Sequence, residues 1–354
     1  KVYDDEHHLS GLCTVGIVYK FFEYYLATLE SDIPLHGYLD LVALGTIADI
    51  ASLKGENRSL VAMGLRALAN RDRPGIAAIL KAAKFESKHI SPRDVGFVIA
   101  PRLNAAGRLQ DASLGVTCLM STTMKEADQH AEKLNTLNEE RRAIGQDIMK
   151  QCEQLIKETP SLLDHKALVF WHHDWHPGVI GITASQLAEK YGKPCVVIAV
   201  DPTICRASCR SYGEVNLYAL LKECQHFFEA FGGHKEAAGF SIQMAKLQSF
   251  QTAFYEVADA TVSDSILKPI LMIDGCLNTK DINLKFIDDL AVLEPFGQHN
   301  ALPLFYSNDM SLLDAKCVGD GSHLKATFAS KSGKYVIEGI GFKLANKLPL
   351  LKKQ

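Results

Sequence analysis

No stretch of this chain stays apolar for the roughly 18–20 residues that a membrane-spanning helix requires, so none is predicted. Neither sign of charge dominates. Lysine and arginine number 38 against 41 acidic residues, for a formal net charge of −3. The strongly basic balance that marks a non-specific nucleic-acid binder is therefore missing, and only local basic patches remain as candidates for holding phosphate. Cysteine is sparse for the length and odd in number, nine in all, with irregular spacing. That excludes a disulfide scaffold and fits a protein of the reducing cytoplasm whose cysteines are mostly small buried hydrophobes. Cys205 and Cys209 stand four apart with no second pair, which argues against a zinc site. Also absent are a GxxxxGK[ST] phosphate loop, an HExxH pair and a GxSxG elbow, so P-loop, zincin and serine-hydrolase chemistries find no support. Gly319-Asp320-Gly321 lacks the rest of a dinucleotide fingerprint and reads as a hairpin turn. The opening KVYDDEHHLS is polar and acidic, with no secretory signal.

What is present is an ordinary globular composition, 47% apolar and 22% charged over 354 residues, enough for roughly two or three domains. Residues 11–30 carry apolar side chains at helical spacing and predict a mostly buried helix. Residues 91–120 predict a capped helix, a Pro-Arg loop and a second helix. Residues 122–158 hold no proline and one glycine, with a single narrow apolar stripe, and predict a long helix connecting two domains. Beyond Pro160 strand and helix patterns alternate: KALVFW, then HPGVIGITASQLAEKYG, then PCVVIAV, which argues for an α/β domain. VNLYALLKECQHFFEAF predicts a helix running into a Gly-Gly-His turn, and residues 245–260 one more helix. From about 268 onward short strand-like runs dominate and predict a small β-barrel or sandwich.

Several short patterns could carry chemistry. ALGTIADIASL sets Asp49 in an apolar run, where a carboxylate is costly unless paired, metal-bound or placed at a helix end. APRLNAAGRL places Arg102, Asn104 and Arg108 among small residues in what reads as a proline-opened loop. Guanidinium forks suit phosphate, and small neighbours let a polyanion approach, although two surface arginines would look the same. In WHHDWHPGVIGITASQLAEKYG, Pro177 suits a first helical turn whose free N–H groups attract anions, and His176 sits at that mouth. In CRASCRSYG, Arg210 and Ser211 end a strand, where ligands of α/β domains sit and where an arginine with a hydroxyl can anchor a terminal phosphate. In FGGHKEAAGF, two glycines precede a titratable ring, which alone reads as a turn with a surface histidine.

Taken in order, ALGTIADI, APRLNAAGRL, WHPGVIGITASQLAEKYGKPCVVIA, CRS, FGGHKEAAGF and LEPFGQHNALPLF resemble the single-strand-specific exonucleases of the DHH phosphoesterase superfamily across nearly the whole chain. The resemblance implies an α/β fold with four parts. These are the C-terminal portion of a DHH catalytic domain (1–120), a long connecting helix (121–160), a DHH-associated domain (161–265) and an oligonucleotide-binding barrel (266–354). It implies a 5′-to-3′ exonuclease on single-stranded DNA that uses Mn²⁺ or Mg²⁺ in DNA repair and recombination. The implied partners are a helicase and a single-strand-binding protein, the implied state a monomer without membrane contact, and the implied place the cytoplasm. By the same resemblance Asp49 matches a catalytic metal-ligand aspartate, and Arg210 with Ser211 the pair that holds a 5′ phosphate. Gly232, Gly233 and His234 match the signature of the DHH-associated domain, with the glycines admitting a phosphate and His234 donating to it. Cys209 replaces the glycine expected before Arg210.

The family's Asp-x-Asp, second aspartate and Asp-His-His motifs do not occur. Glu6-His7-His8 only superficially resembles the last, because HLSGLCTVGIVYKF matches the helix that follows it. The expectation is therefore a chain that begins inside the first catalytic domain, keeps Asp49, and has an incomplete metal site. Two other readings stay open: a non-catalytic single-strand-binding scaffold, and a small-substrate phosphodiesterase of the same superfamily.

Overall fold

The computed structural model describes residues 11–308 and 310–351. Glu6, His7 and His8 lie outside the described residues. In chain order the longer helices are α1 (Thr14–Thr28), α2 (Leu39–Ala48), α3 (Gly55–Asn70), α4 (Pro74–Ala82), α5 (Ala100–Leu109), α6 (Ser113–Met120), α7 (Met124–Glu158), α8 (Ile180–Tyr191), α9 (Leu217–Glu223), α10 (Leu247–Thr261) and α11 (Leu284–Ala291). The longer strands are β1 (Leu168–His172), β2 (Cys195–Ala199), β3 (Cys205–Arg210), β4 (Phe228–Gly233) and β5 (Ala237–Ile242). A second set is β6 (Gly275–Cys276), β7 (Phe305–Tyr306), β8 (Met310–Val318), β9 (His323–Ser330) and β10 (Val336–Gly341). The chain divides into two compact units: residues up to Met63 together with those from Leu271 on, and Gly64–Ile270.

In the unit Gly64–Ile270, α7 is the spine. Thr123 caps it by accepting from the Glu126 amide, and 35 residues without proline let it run unbroken. Its first half buries Ala127, Ala131 and Leu134, and its second half Ile148, Cys152 and Ile156. Both halves lie within this one unit, and the helix buries side chains along its length. The second half meets a five-stranded sheet of order β1-β2-β3-β5-β4. β1 and β2 are parallel and joined through α8; β2–β3, β3–β5 and β5–β4 are antiparallel. One face buries Leu168, Phe170, Cys195 and Val197 with α7 and α8; the other buries Val196, Ile198, Phe240, Phe250 and Phe254 with α9 and α10.

Three local expectations need correction. Arg102, Asn104 and Arg108 stand on helix α5, not in a loop. Pro101 is accommodated because Val95–Ile99 forms a widened π turn just before it, and such a turn absorbs the missing amide and the ring's clash with the carbonyl four residues back. The predicted helix ending in FFEAF breaks at Glu223, and Phe228–Gly233 is a strand. The Phe228 and Phe240 rings stack across β4 and β5 at 4.0 Å between centroids, a pairing that outweighs local helical spacing. Helix α1, predicted mostly buried, buries only Gly16; Phe21 and Tyr24 are 60% and 73% exposed.

In the other unit, α1–α3 pack around Leu12, Leu39, Val42 and Leu60. The C-terminal strands form a three-stranded antiparallel sheet, β10-β9-β8, whose small core holds Ala315, Leu324 and Ala326. β6 and β7 add a separate parallel pair.

Candidate phosphate-binding site

Within the α/β unit the predicted residues fall into two groups. Arg210 ends β3, and its Nη1 donates to Ser208 Oγ at 3.1 Å. Residues i and i+2 of a strand share a face, so Ser208 and Arg210 present a hydroxyl and a guanidinium side by side. Helix α8 passes over them at Gly181. A Cβ there would lie 2.7 Å from Ser208 Oγ and 3.1 Å from Arg210 Nη2, so the glycine leaves the space these two groups occupy. Arg108, at the end of α5, donates from Nη1 to the Gly178 carbonyl at 3.2 Å. A Cβ on Gly178 would overlap the Arg108 carbonyl oxygen, so the approach of these two segments depends on that glycine. His176 belongs to the same turn. Its Nδ1 accepts from the Gly178 amide at 3.0 Å, and its carbonyl receives the Val179 and Ile180 amides. The helix proper starts at Ile180, so Pro177 lies in the preceding turn and not in the first helical turn.

Nothing in the sequence marks Arg141 on α7, yet it joins this cluster. Burial lowers its pKa first, and the fields of Arg108 and Arg142 lower it further. Arg210 is lowered chiefly by burial, with Arg108 adding to it, and Arg108 by partial loss of its hydration. Among the described residues no carboxylate forms an ion pair with Arg108, Arg141 or Arg210. Their partners are neutral: the Gly178 carbonyl, Asn138 Oδ1 at 2.9 Å, and Ser208 with the Cys209 carbonyl. Arg141 Nε is buried without an acceptor. Guanidiniums that lose water and repel one another without a counter-ion create a field that an anion would relieve.

Other predicted residues point elsewhere. Ser211 donates its hydroxyl to the Val215 carbonyl at 2.6 Å, closing a turn, which leaves Ser208 as the hydroxyl beside Arg210. A strict strand alternation from Arg210 would have found Ser208. Arg102 turns toward α7, where Nε meets Asn135 Oδ1 at 2.9 Å; Asn135 in turn donates to Glu139 at 3.0 Å. Asn104 is exposed on α5. His234 sits at the tip of the β4–β5 hairpin, its amide donating to the Ala237 carbonyl at 2.8 Å and its Nδ1 2.7 Å from Glu236 Oε2. That hydrogen bond holds the Glu236 carboxyl below its usual range. The tip is tied to the end of β3 by the Ser211 amide, which donates to the Glu236 carbonyl at 2.8 Å. Gly233 has φ of +153°, and a Cβ there would meet Ala237 O and Ala238 Cα at 2.5 Å, whereas Gly232 faces open space. The pair therefore has two functions: Gly233 makes the turn, and Gly232 leaves room above it.

Asp49 belongs to the other unit, as the exposed C-terminal cap of α2. Among the described residues no group of three or more His, Cys, Asp or Glu side chains could hold a metal ion. One exposed carboxylate is a candidate ligand and not a site, so no hydrolytic step can be derived from the residues present.

Comparison with known proteins matches residues 164–260 to the DHHA1 domain and residues 273–354 to the RecJ OB domain. The fold and the paired domains define a chain of the DHH phosphoesterase class. It belongs to the RecJ family, being 31% identical to the single-stranded-DNA-specific exonuclease RecJ of Bacillus subtilis over 94% of this chain and 41% of that protein. With the RecJ of Escherichia coli K12 it shares 35% identity over 86% of this chain and 54% of that protein. The crystal structure of RecJ in complex with Mn²⁺ from Thermus thermophilus superposes with a TM-score of 0.80 at 28% identity, covering 93% of this chain and 47% of that one. A Mg²⁺ complex from the same organism gives 0.78. The chain thus spans about half the length of the curated relatives it matches.

Proposed function

We propose that this chain is the nucleic-acid-gripping part of a 5′-to-3′ exonuclease specific for single-stranded DNA, acting in repair and recombination. Arg108, Arg141 and Arg210 with Ser208 form the pocket for the terminal 5′ phosphate. The observation that carries this reading is the set of three guanidiniums with no carboxylate partner among the described residues: Arg108 and Arg210 stand at the close approaches of Gly178 and Gly181, and Arg141, bonded to Asn138, lies in the field of Arg108. A terminal phosphate carries more charge than an internal diester, so such a cluster favours the end of a strand over its middle. His234 and Gly232 on the neighbouring hairpin tip lie next to the end of β3, where the following phosphate would run. In this reading Asn104, exposed on α5 one turn before Arg108, touches the strand, and Arg102, tied to Asn135, sets α5 against α7. Asp49 contributes one carboxylate toward Mn²⁺ or Mg²⁺, the ions held by the structural relatives. The other ligands are not among the described residues. The OB-type strands hold the single strand downstream. The helicase and single-strand-binding partners, the monomeric state and the cytoplasmic setting remain part of the same proposal.

The test is degradation of 3′-labelled single-stranded DNA by the intact protein with added Mn²⁺. Shortening from the 5′ end that weakens when the terminal phosphate is replaced by a hydroxyl supports the reading. Indifference to the end group sinks the pocket assignment. A second reading, a binding scaffold without hydrolysis, rests on the match to the RecJ OB domain, since such a domain and an arginine cluster would serve binding alone. Tight binding of the same DNA with no shortening would select it.

A further inference from the structure

The turn that carries Asp49 is strained and held from outside. Helix α2 ends with the Ile50 amide bonded to the Ile47 carbonyl at 3.0 Å and the Ala51 amide to the Thr46 carbonyl at 3.1 Å. This paired pattern places Ile50 where helices usually carry glycine in the left-handed conformation. Ile50 has φ of +54° and is 71% exposed, so a β-branched residue adopts this backbone without burial to favour it. Such a conformation persists only where its surroundings over-determine it.

The surroundings are a distant segment of the chain, Val292–Asn300, in the same compact unit. The Leu53 amide donates to the Gln298 carbonyl at 2.8 Å. Arg58 Nη2 donates to the carbonyls of Val292 at 3.1 Å and Glu294 at 3.2 Å. A Cβ on Gly297 would stand 2.6 Å from Leu53 Cδ1, and Leu53 is only 2% exposed, so the two segments are in close contact there. The segment is itself braced: Asn300 Nδ2 donates to the Leu293 and Pro295 carbonyls at 2.9 Å each, and Gly297 and Asn300 exchange backbone hydrogen bonds. From within, Asn57 Nδ2 ties the Ser52 and Gly11 carbonyls at 2.9 Å each. The Asp49 turn therefore ends at a strap supplied by the OB-type part of the chain.

We propose that Val292–Asn300 is a positioning strap for Asp49, with Arg58 as its clasp, so that the OB-type domain sets the orientation of a carboxylate in the catalytic part. The inference rests on the reading that Asp49 acts in the reaction; Arg58, Leu53 and Gly297 are positioning residues and touch no substrate.

The experiment uses the intact protein as its gene encodes it and compares Arg58→Ala, Arg58→Lys, Asn300→Ala and Asp49→Asn. Amide hydrogen exchange is read first, without added metal. In Arg58→Ala, exchange at Ile50, Ala51 and Leu53 should rise by about tenfold, the loss expected for hydrogen bonds from a charged group, and in Asn300→Ala by a smaller factor of about threefold, as expected for a neutral donor. On single-stranded DNA, kcat should fall by about the same factor with KM unchanged, as expected when a group acts only in the transition state. Arg58→Lys should recover part of both losses. Unchanged exchange at Ile50 and Ala51 in Arg58→Ala overturns the strap. Faster exchange with unchanged kcat, while Asp49→Asn abolishes activity, overturns its positioning role and leaves the functional reading of Asp49 standing. Full activity in Asp49→Asn overturns that reading, and the positioning role with it.

Discussion

Gly181→Ala should separate recognition from stability. The substitution lies in the first turn of α8, where alanine is preferred to glycine by up to about 1 kcal/mol, so the folded state should be no less stable. The added Cβ would start 2.7 Å from Ser208 Oγ and 3.1 Å from Arg210 Nη2. The first distance is shorter than real carbon–oxygen contacts and the second is tight, and both neighbours are side-chain ends that can swing. The backbone should stay in place while the hydroxyl and guanidinium move by a few tenths of an ångström or rotate out of the cradle. Losing one well-aligned hydrogen bond to a charged phosphate costs about 1.5–3 kcal/mol, or roughly 10- to 100-fold in affinity. The assay is thermal unfolding beside equilibrium binding of single-stranded oligonucleotides bearing a 5′ phosphate or a 5′ hydroxyl. The expected result is an equal or higher Tm, a roughly 10- to 100-fold weaker grip on the phosphorylated strand and a small change for the hydroxyl strand. Equal losses on both strands, or no loss on either, would refute the placement of Ser208 and Arg210 at a terminal phosphate.

Single contacts elsewhere make further outcomes measurable. Gly178→Ala, whose Cβ would overlap the Arg108 carbonyl oxygen, should destabilise by about 1–3 kcal/mol because backbone must move, and should also weaken 5′-phosphate discrimination; calorimetry and the binding assay read the two effects. Ile50→Gly should stabilise by about 1 kcal/mol in urea unfolding, since it relieves a left-handed β-branched residue whose side chain is largely in solvent. Burial pushes the Cys118 and Cys224 thiols up to about 11 and Cys152 to about 12, so in mildly alkaline buffer these groups stay protonated and inaccessible. Native alkylation read by mass spectrometry should modify Cys276 and Cys317, the exposed cysteines, and leave the rest until the protein is denatured.

The order of elements was largely legible in the sequence because each carries its own period. The unbroken run of 122–158 and the apolar PCVVIAV predict a helix and a buried strand, and both are present. What could not be read locally depended on distant partners. Phe228–Gly233 has helix-compatible spacing, but its aromatics pair across β5 and α10. Helix α5 contains Pro101 because a π turn precedes it, and no sequence rule marks such a turn. Of the proposed pocket, Arg108 and Arg210 drew attention in the sequence through their small neighbours and their strand end. Arg141 was hidden in a charge run on α7, where its role depends on the tertiary approach of Arg108. The choice between Ser208 and Ser211 turned on a single turn hydrogen bond to Val215. The strap over Asp49 joins segments that the sequence places at opposite ends, so its contacts were beyond any local reading.

The most direct test of the central claim is equilibrium binding of a 5′-phosphorylated and a 5′-hydroxyl single strand, without divalent metal, to the intact protein and to its Arg141→Ala variant. A three-arginine pocket predicts that the intact protein prefers the phosphorylated end by at least about tenfold and that Arg141→Ala removes most of that preference while leaving hydroxyl-strand affinity nearly unchanged. Equal affinity for the two ends in the intact protein, or a preference untouched by the loss of Arg141, would contradict it.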